Sequence, residues 1–407
     1  MRSPRAHATT VGVAMSAVVR RYGTLATLSA LSGLLAGLGG WVFLVVLDAV
    51  TDIRLSQQWL VLGLPVAGVI TLLAVRRIST SAGGGNALVF RQLDRVDEGI
   101  PTTLAPIVVV GTWITHLFGG SAGREGTALQ MSAALTDTMS RRLRVSDEHR
   151  RLLLGVALAA GFGAVFGTPL AGAVFAIEVH SRWRLRWSIL VPSIVAAFVG
   201  DAVVGALGYG YAQTPTVSLG LDPSTLAACV VLGLGAGIVA TVYVRAVRGV
   251  RWVLARWVDS QAMRIVIGGS AIIALTAAFG TDSLGLSTQL SDRALAGDAL
   301  DPSVSLLKLV FTAVTAGSGF IGGEVTPLFV MGATFGSAIA ATLGLPIVAA
   351  SAFGFVAVFG AAAHVPLACA VMALELFGVS ALPHALVVCI VASLIARHPG
   401  VHSSTAR

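Results

Sequence analysis

The sequence predicts an all-α membrane protein with many spanning helices. Of its 407 residues, 56% are hydrophobic and 11% are charged, and the mean hydropathy is +0.87. A soluble globular domain carries about 25% charged residues. Apolar runs near the roughly 20 residues that cross a bilayer recur along the chain; they cover residues 25–47, 59–75, 226–244 and, more briefly, 265–279. An open sheet cannot span lipid, and the alternation of a β-barrel is absent, so helices are the prediction.

The net charge of +8 is distributed in short basic clusters between the apolar runs. Loops of this kind mark the cytoplasmic side of a membrane protein and lie near anionic headgroups, which argues against nucleic acid as a partner. Arg20 and Arg21 precede the first long run. We therefore expect a multi-pass protein of a bacterial-type inner membrane with its N-terminus in the cytosol.

The chain divides into two parts of similar length. Residues 1–21 are predicted to form a cytosolic N-terminal arm, 22–212 a first transmembrane repeat, 213–223 a linker and 224–407 a second repeat. Each repeat contains one stretch that glycine and proline interrupt. Interrupted segments at corresponding places in two halves are typical of an inverted-repeat transporter, whose site lies where the broken helices face each other.

Each interrupted stretch carries a glutamate at a helix break. Glu125 lies in Gly-Arg-Glu-Gly-Thr (123–127), and Glu324 in Gly-Gly-Glu-Val-Thr-Pro (322–327). An ionised side chain at membrane depth costs about 3 kcal/mol or more, so such residues usually serve ions or protons. We expect helices to start at Gly126 and Pro327, and helix N-termini attract anions. A glutamate beside such an end takes the anion's place when ionised and leaves when protonated, which couples anion movement to proton movement.

Three segments in order resemble the CLC family of anion channels and proton-coupled exchangers: 123–126, 160–178 and 319–327. The resemblance covers nearly the whole chain. It implies the CLC fold, Glu125 as the external gating glutamate, and a homodimer with one anion pathway per subunit.

Finer details resemble the fluoride/proton antiporter branch of that family. Thr127 replaces the proline typical of chloride-type members, and residues 323–327 and 361–378 are similar to this branch. Val179 stands where chloride-type exchangers carry an internal proton-transfer glutamate. The resemblance implies a fluoride exporter that moves protons in exchange, with no cofactor, and with fluoride, protons and the lipid bilayer as partners.

The predicted anion ligands are Thr326 and the backbone N–H groups of Gly126 and Val325, with Thr127 as a further candidate. Helix capping is the alternative for Thr326. Two positions depart from the family pattern. Gly84 offers no side chain where a pore serine or methionine is usual, and His402 replaces a pore tyrosine; His402 is either an anion ligand or a solvated tail residue.

The remaining acidic residues have plainer interpretations. Glu324 either tunes the site or receives the proton, or else makes a structural contact. For Glu178 and Glu375 we expect interhelical hydrogen bonds. Asp137 is assigned to solvated ion pairs with the arginine-rich loop that follows it.

Other functions fit the sequence less well. An uncoupled or chloride-selective member of the same family is the first alternative. An intramembrane enzyme using Glu125 and His116 lacks a metal-binding spacing such as His-Glu-x-x-His, and the three cysteines suggest neither a metal site nor a disulfide framework. A purely structural protein would not need glutamates at two helix breaks.

Overall fold

A computed structural model describes residues 4–78, 85–94, 99–179 and 185–396. The α-helices in these residues number sixteen, and the bounds of the first eight are as follows: α1 Pro4–Ser56, α2 Leu64–Ile78, α3 Gly85–Asp94, α4 Leu104–Leu117, α5 Glu125–Arg142, α6 Asp147–Phe166, α7 Pro169–Glu178 and α8 Leu190–Ala206. The other eight are α9 Pro223–Trp257, α10 Gln261–Phe279, α11 Thr288–Leu295, α12 Pro302–Ser318, α13 Val325–Leu343, α14 Ile347–Ala363, α15 Pro366–Phe377 and α16 Leu382–Ile395.

The all-α, multi-span architecture is confirmed. Within the described part of the chain, seven helices are long and apolar enough to cross a membrane, and the four apolar runs singled out in the sequence lie inside four of them. Helix α1 is longer than its apolar run, because it begins at Pro4 and so continues through the stretch predicted as a separate arm. The boundaries proposed for the two repeats stay a prediction.

Helices in the second half follow the same order as those in the first, at an offset of about 200 residues. Glycines at equivalent positions let equivalent helices approach: a Cβ added at Gly33 of α1 would lie 2.4 Å from the Ala196 carbonyl oxygen of α8. A Cβ added at Gly233 of α9 would lie 2.8 Å from the Val388 carbonyl oxygen of α16. Small residues at such crossings replace the hydrophobic driving force that lipid does not supply.

The connections into α4 and α12 are held in equivalent ways. The Ile100 N–H donates to Asp137 Oδ2 at 2.8 Å, and the Leu300 N–H donates to Ser337 Oγ at 3.0 Å. Asp137 is 1% exposed and pairs with Arg150, with 2.8 Å between Nη2 and Oδ1. The prediction of a solvated ion pair for Asp137 was therefore wrong, because this carboxylate anchors a buried backbone connection.

Helices α7 and α15 exchange caps. The Glu178 carboxylate accepts from the backbone N–H groups of Leu367 and Ala368 at 3.1 and 2.8 Å, at the start of α15. The Glu375 carboxylate accepts from the N–H groups of Leu170 and Ala171, both at 2.8 Å, at the start of α7. Unpaired N–H groups in a helix first turn need such acceptors, and the negative charge suits the helix dipole. The predicted interhelical hydrogen bonds are confirmed.

The contact between α13 and α14 depends on glycine. A Cβ added at Gly336 would lie 2.1 Å from the Ala350 carbonyl oxygen, a backbone atom that cannot move alone. We expect Gly336→Ala to lower the free energy of unfolding in detergent by about 1–3 kcal/mol through overpacking.

The matched control is Gly249→Ala on the exposed face of α9, where an added Cβ meets nothing within 4 Å. This change should leave the protein as stable as the wild type or raise its stability by about 0.5–1 kcal/mol. Equal unfolding midpoints for the two variants would contradict the packing argument.

Candidate functional site

Two helix starts face each other at the centre of the candidate site. Helix α5 begins at Glu125 and α13 at Val325. The loops before them pair as antiparallel backbone: the Gly123 N–H donates to the Gly323 carbonyl oxygen at 2.6 Å, and the Gly323 N–H donates back to the Gly123 carbonyl oxygen at 2.8 Å. A side chain at Gly323 would lie 2.9 Å from the Gly126 nitrogen. Glycine is therefore required for the two breaks to meet.

The Glu125 side chain reaches the opposite helix start. Its Oε2 accepts from the Thr326 backbone N–H at 2.9 Å, and the Thr326 hydroxyl lies 2.6 Å from both Oε1 and Oε2. Glu125 is 1% exposed. A carboxylate thus takes the position at which the N-terminus of α13 would hold an anion. The alternative of a helix cap for Thr326 is not what the geometry shows, because its hydroxyl faces the glutamate.

Arg124 is a secondary partner of the same carboxylate. The Arg124 backbone N–H donates to Glu125 Oε2 at 3.1 Å, whereas its Nε lies 3.5 Å from Oε1. Because the guanidinium is more distant than the Thr326 donors, Thr326 is the stronger partner of Glu125.

Three other predicted ligands lie at the same two helix starts. Gly126 and Val325 are buried in the first turns of α5 and α13. The Thr127 hydroxyl is 2.6 Å from the Thr112 hydroxyl of α4, so this hydroxyl is directed at α4. Gly84 and His402 lie outside the described residues.

Glu324 has a partner of its own on α9. Its Oε2 accepts from the buried Tyr243 hydroxyl at 2.7 Å. Arg251, also on α9, lies close enough to act on Glu324 electrostatically. Of the two interpretations left open for Glu324, this contact favours the structural one.

Aromatic rings pack one turn beyond Thr326. Phe329 stacks on Phe355 with ring centroids 4.2 Å apart and meets Phe166 and Phe359 edge to face at 5.3 and 5.2 Å. Residues three apart share a helix face, so this apolar cluster lies on the side of α13 that carries Thr326. It limits the water that can solvate the carboxylate from that side.

Sequence reasoning missed one buried cation. Lys308 in α12 is 0% exposed, and its Nζ donates to the Ser121 hydroxyl at 2.9 Å, in the loop that leads to Glu125. The available signal was composition, because Lys308 is the only lysine among 27 basic residues. In the described ranges no group of three His, Cys, Asp or Glu side chains is arranged to hold a metal ion.

Comparisons with known proteins identify the family of the chain. Residues 67–397 match the family model described as voltage gated chloride channel. The chain is 38% identical over 389 residues to a chloride/fluoride channel protein of Pseudomonas syringae pv. tomato, which covers 92% of this chain and 84% of the relative. It is 28% identical over 340 residues to an H⁺/Cl⁻ exchange transporter of Cronobacter sakazakii, with 77% and 72% covered.

Solved structures show the same likeness. A CLC-type fluoride/proton antiporter superposes with a TM-score of 0.90 at 33% identity, over 92% of this chain and 95% of the other. A slow cyanobacterial Cl⁻/H⁺ antiporter superposes with a TM-score of 0.78 at 20% identity, over 91% and 94%, which supports the fold alone.

The Glu324 contact can be tested by stability. Tyr243→Phe leaves a largely buried carboxylate without its hydroxyl donor, so we expect a loss of about 1–3 kcal/mol in the free energy of unfolding. Glu324→Gln keeps the shape of the side chain but replaces the charged acceptor with a neutral one, so it weakens the same hydrogen bond to Tyr243. If the two residues form one contact, the double variant should be clearly less destabilised than the sum of the single variants; additive losses would show that they act independently.

Proposed function

The chain belongs to the voltage-gated chloride channel family, and from that premise we propose that it is a fluoride/proton antiporter that exports fluoride across the inner membrane. In this proposal Glu125 is the gating glutamate. The observation that carries it is the Glu125 carboxylate bound to the Thr326 N–H and hydroxyl at the start of α13.

The contacts of Glu125 suggest how anion and proton are linked. An ionised carboxylate accepts two donors from Thr326 and blocks the helix end for any other anion. A protonated carboxyl group has lost its charge and holds these donors less strongly. Its departure frees the N–H and the hydroxyl for fluoride, and the proton moves with the carboxyl group. The carboxyl group then releases the proton on the other side, and the ionised side chain returns and displaces fluoride.

Fluoride places strict demands on a site, because a small and strongly hydrated anion must replace its water with good donors. Thr326 offers two of them, and the first turns of α5 and α13 offer the N–H groups of Gly126 and Val325. Fluoride as the cargo is also supported by two similar proteins, a chloride/fluoride channel protein and a CLC-type fluoride/proton antiporter. Transport of chloride is the alternative, which the exchanger from Cronobacter sakazakii keeps open.

The same proposal includes the cytosolic N-terminus and a homodimer. Basic residues follow several spans, as the cytoplasmic side requires. The homodimer rests on the family resemblance, with one anion pathway in each subunit.

Glu125→Gln tests the coupling. Purified protein is reconstituted into vesicles loaded with fluoride or chloride, and anion efflux and external pH are recorded together. The wild type should release fluoride with coupled proton uptake. Glutamine cannot carry the proton, so we expect the variant to lose proton uptake at least about a hundredfold, the lower end of the range for one positioned acid or base, while keeping its fold.

Glu148→Gln on the exposed first turn of α6 is the matched control and should transport as the wild type does. Proton uptake that persists in Glu125→Gln would overturn the role of Glu125. Equal chloride flux without proton movement in the wild type would instead identify an uncoupled anion channel.

A further inference from the structure

Two basic side chains are buried together near the end of α1. Arg54 of α1 is 5% exposed and Lys308 of α12 is 0% exposed. Both converge on Gly285: the Gly285 carbonyl oxygen accepts from Lys308 Nζ at 2.8 Å, and a Cβ added at Gly285 would lie 3.3 Å from Arg54 Nε. The two cations are close enough to repel each other.

Neutral oxygens surround the Lys308 ammonium. Besides Gly285, its Nζ donates to the hydroxyls of Ser121 at 2.9 Å and Ser287 at 3.0 Å, with the Ser283 carbonyl oxygen at 3.3 Å. These contacts satisfy its hydrogen bonds. They do not supply a negative charge.

Arg54 is less well satisfied. Its Nε is buried and has no hydrogen-bond partner. Asp52, which precedes Arg54 by two residues, and Asp282, which precedes Gly285 by three, are both exposed. No ion pair joins Arg54 or Lys308 to a carboxylate anywhere in the ranges that the structure describes.

Such an arrangement is costly without a counter-ion. Burying one charge costs several kcal/mol even after relaxation, and a second like charge beside it adds repulsion. The unpartnered guanidinium nitrogen supplies a donor that no protein acceptor uses. A small anion would remove the repulsion and satisfy the donor together.

We propose that Arg54 and Lys308 form a binding site for a halide ion, separate from the start of α13, at which exported fluoride stops after it leaves the Glu125 site. The choice of fluoride rests on the proposed function; the chemistry of the site requires only a small anion. Arg54 supplies the free donor, and Lys308 supplies the second charge.

The position of the pair suits a stop on the pathway. Arg54 lies near the end of α1 that is opposite the N-terminus, and so on the outer side if the N-terminus is cytosolic. Ser121, which Lys308 contacts, lies four residues before Glu125, and its N–H donates to the Thr315 hydroxyl at 3.1 Å. A cationic site beside the gate loop raises the local anion concentration where the gate opens.

Anion-dependent stabilisation tests the site without relying on transport. Thermal unfolding is followed in detergent while sodium fluoride, or sodium chloride, replaces sodium gluconate at constant ionic strength. The background is Thr326→Ala, which impairs the site at α13. A bound anion raises the midpoint by mass action, so a halide-dependent rise should remain in this background. Adding Arg54→Gln should raise the half-saturating halide concentration about tenfold or more, as expected for loss of a charged hydrogen-bond donor.

Arg293→Gln, which removes an exposed arginine in the neighbouring α11, is the matched control and should leave the response unchanged. Identical halide responses with and without Arg54→Gln would overturn the site. If the Arg54→Gln protein does not fold, Arg54→Lys is measured in its place. This variant keeps the charge but loses the Nε donor, so an unchanged half-saturating halide concentration would overturn the proposal. A protein that binds halide at Arg54 but moves no protons would refute the antiporter and leave this site standing.

Discussion

One interaction organises this structure: a carboxylate from one half of the chain bound at the N-terminus of a helix in the other half. The paired backbone at Gly123 and Gly323 brings the two helix starts together in an apolar interior. A helix end there has unsatisfied N–H groups and no bulk water to satisfy them. Glu125 supplies the acceptor. The same need underlies the proposed replacement of the side chain by an anion, because an anion satisfies the same groups.

Similar physics recurs at two other helix starts. Glu178 caps α15 and Glu375 caps α7, and each carboxylate accepts two backbone N–H groups. Backbone donors cannot turn away, so these two caps hold the helices in fixed register. Glu125 accepts the Arg124 N–H of its own segment, but across the site it accepts one backbone N–H and one hydroxyl from Thr326. A hydroxyl can rotate toward another acceptor when the carboxyl group is protonated, and this difference suits the release of Glu125 that we propose.

The sequence was sufficient for what local patterns encode. Hydropathy predicted the all-α multi-span fold, and glycine at the breaks, together with the cost of a charge in lipid, singled out Glu125. Family resemblance added Thr326. Partners far apart in sequence were beyond reach: Tyr243 for Glu324, Ile100 for Asp137. Composition marked Lys308 as unusual, but only the packing of α1 against the Gly285 loop brings Arg54 beside it.

The functional asymmetry of the site follows from differences between equivalent positions. At the offset of 200 residues, Glu125 corresponds to Val325 and Gly126 corresponds to Thr326. At these two positions the first half carries the acid and a glycine, while the second half carries a valine and the hydroxyl. Two glutamates facing each other would repel at this distance and raise the cost of burial. Placing the acid on one helix start and its donor on the other gives the single carboxylate that the proposed function requires, because one proton can then switch its occupancy of one anion position.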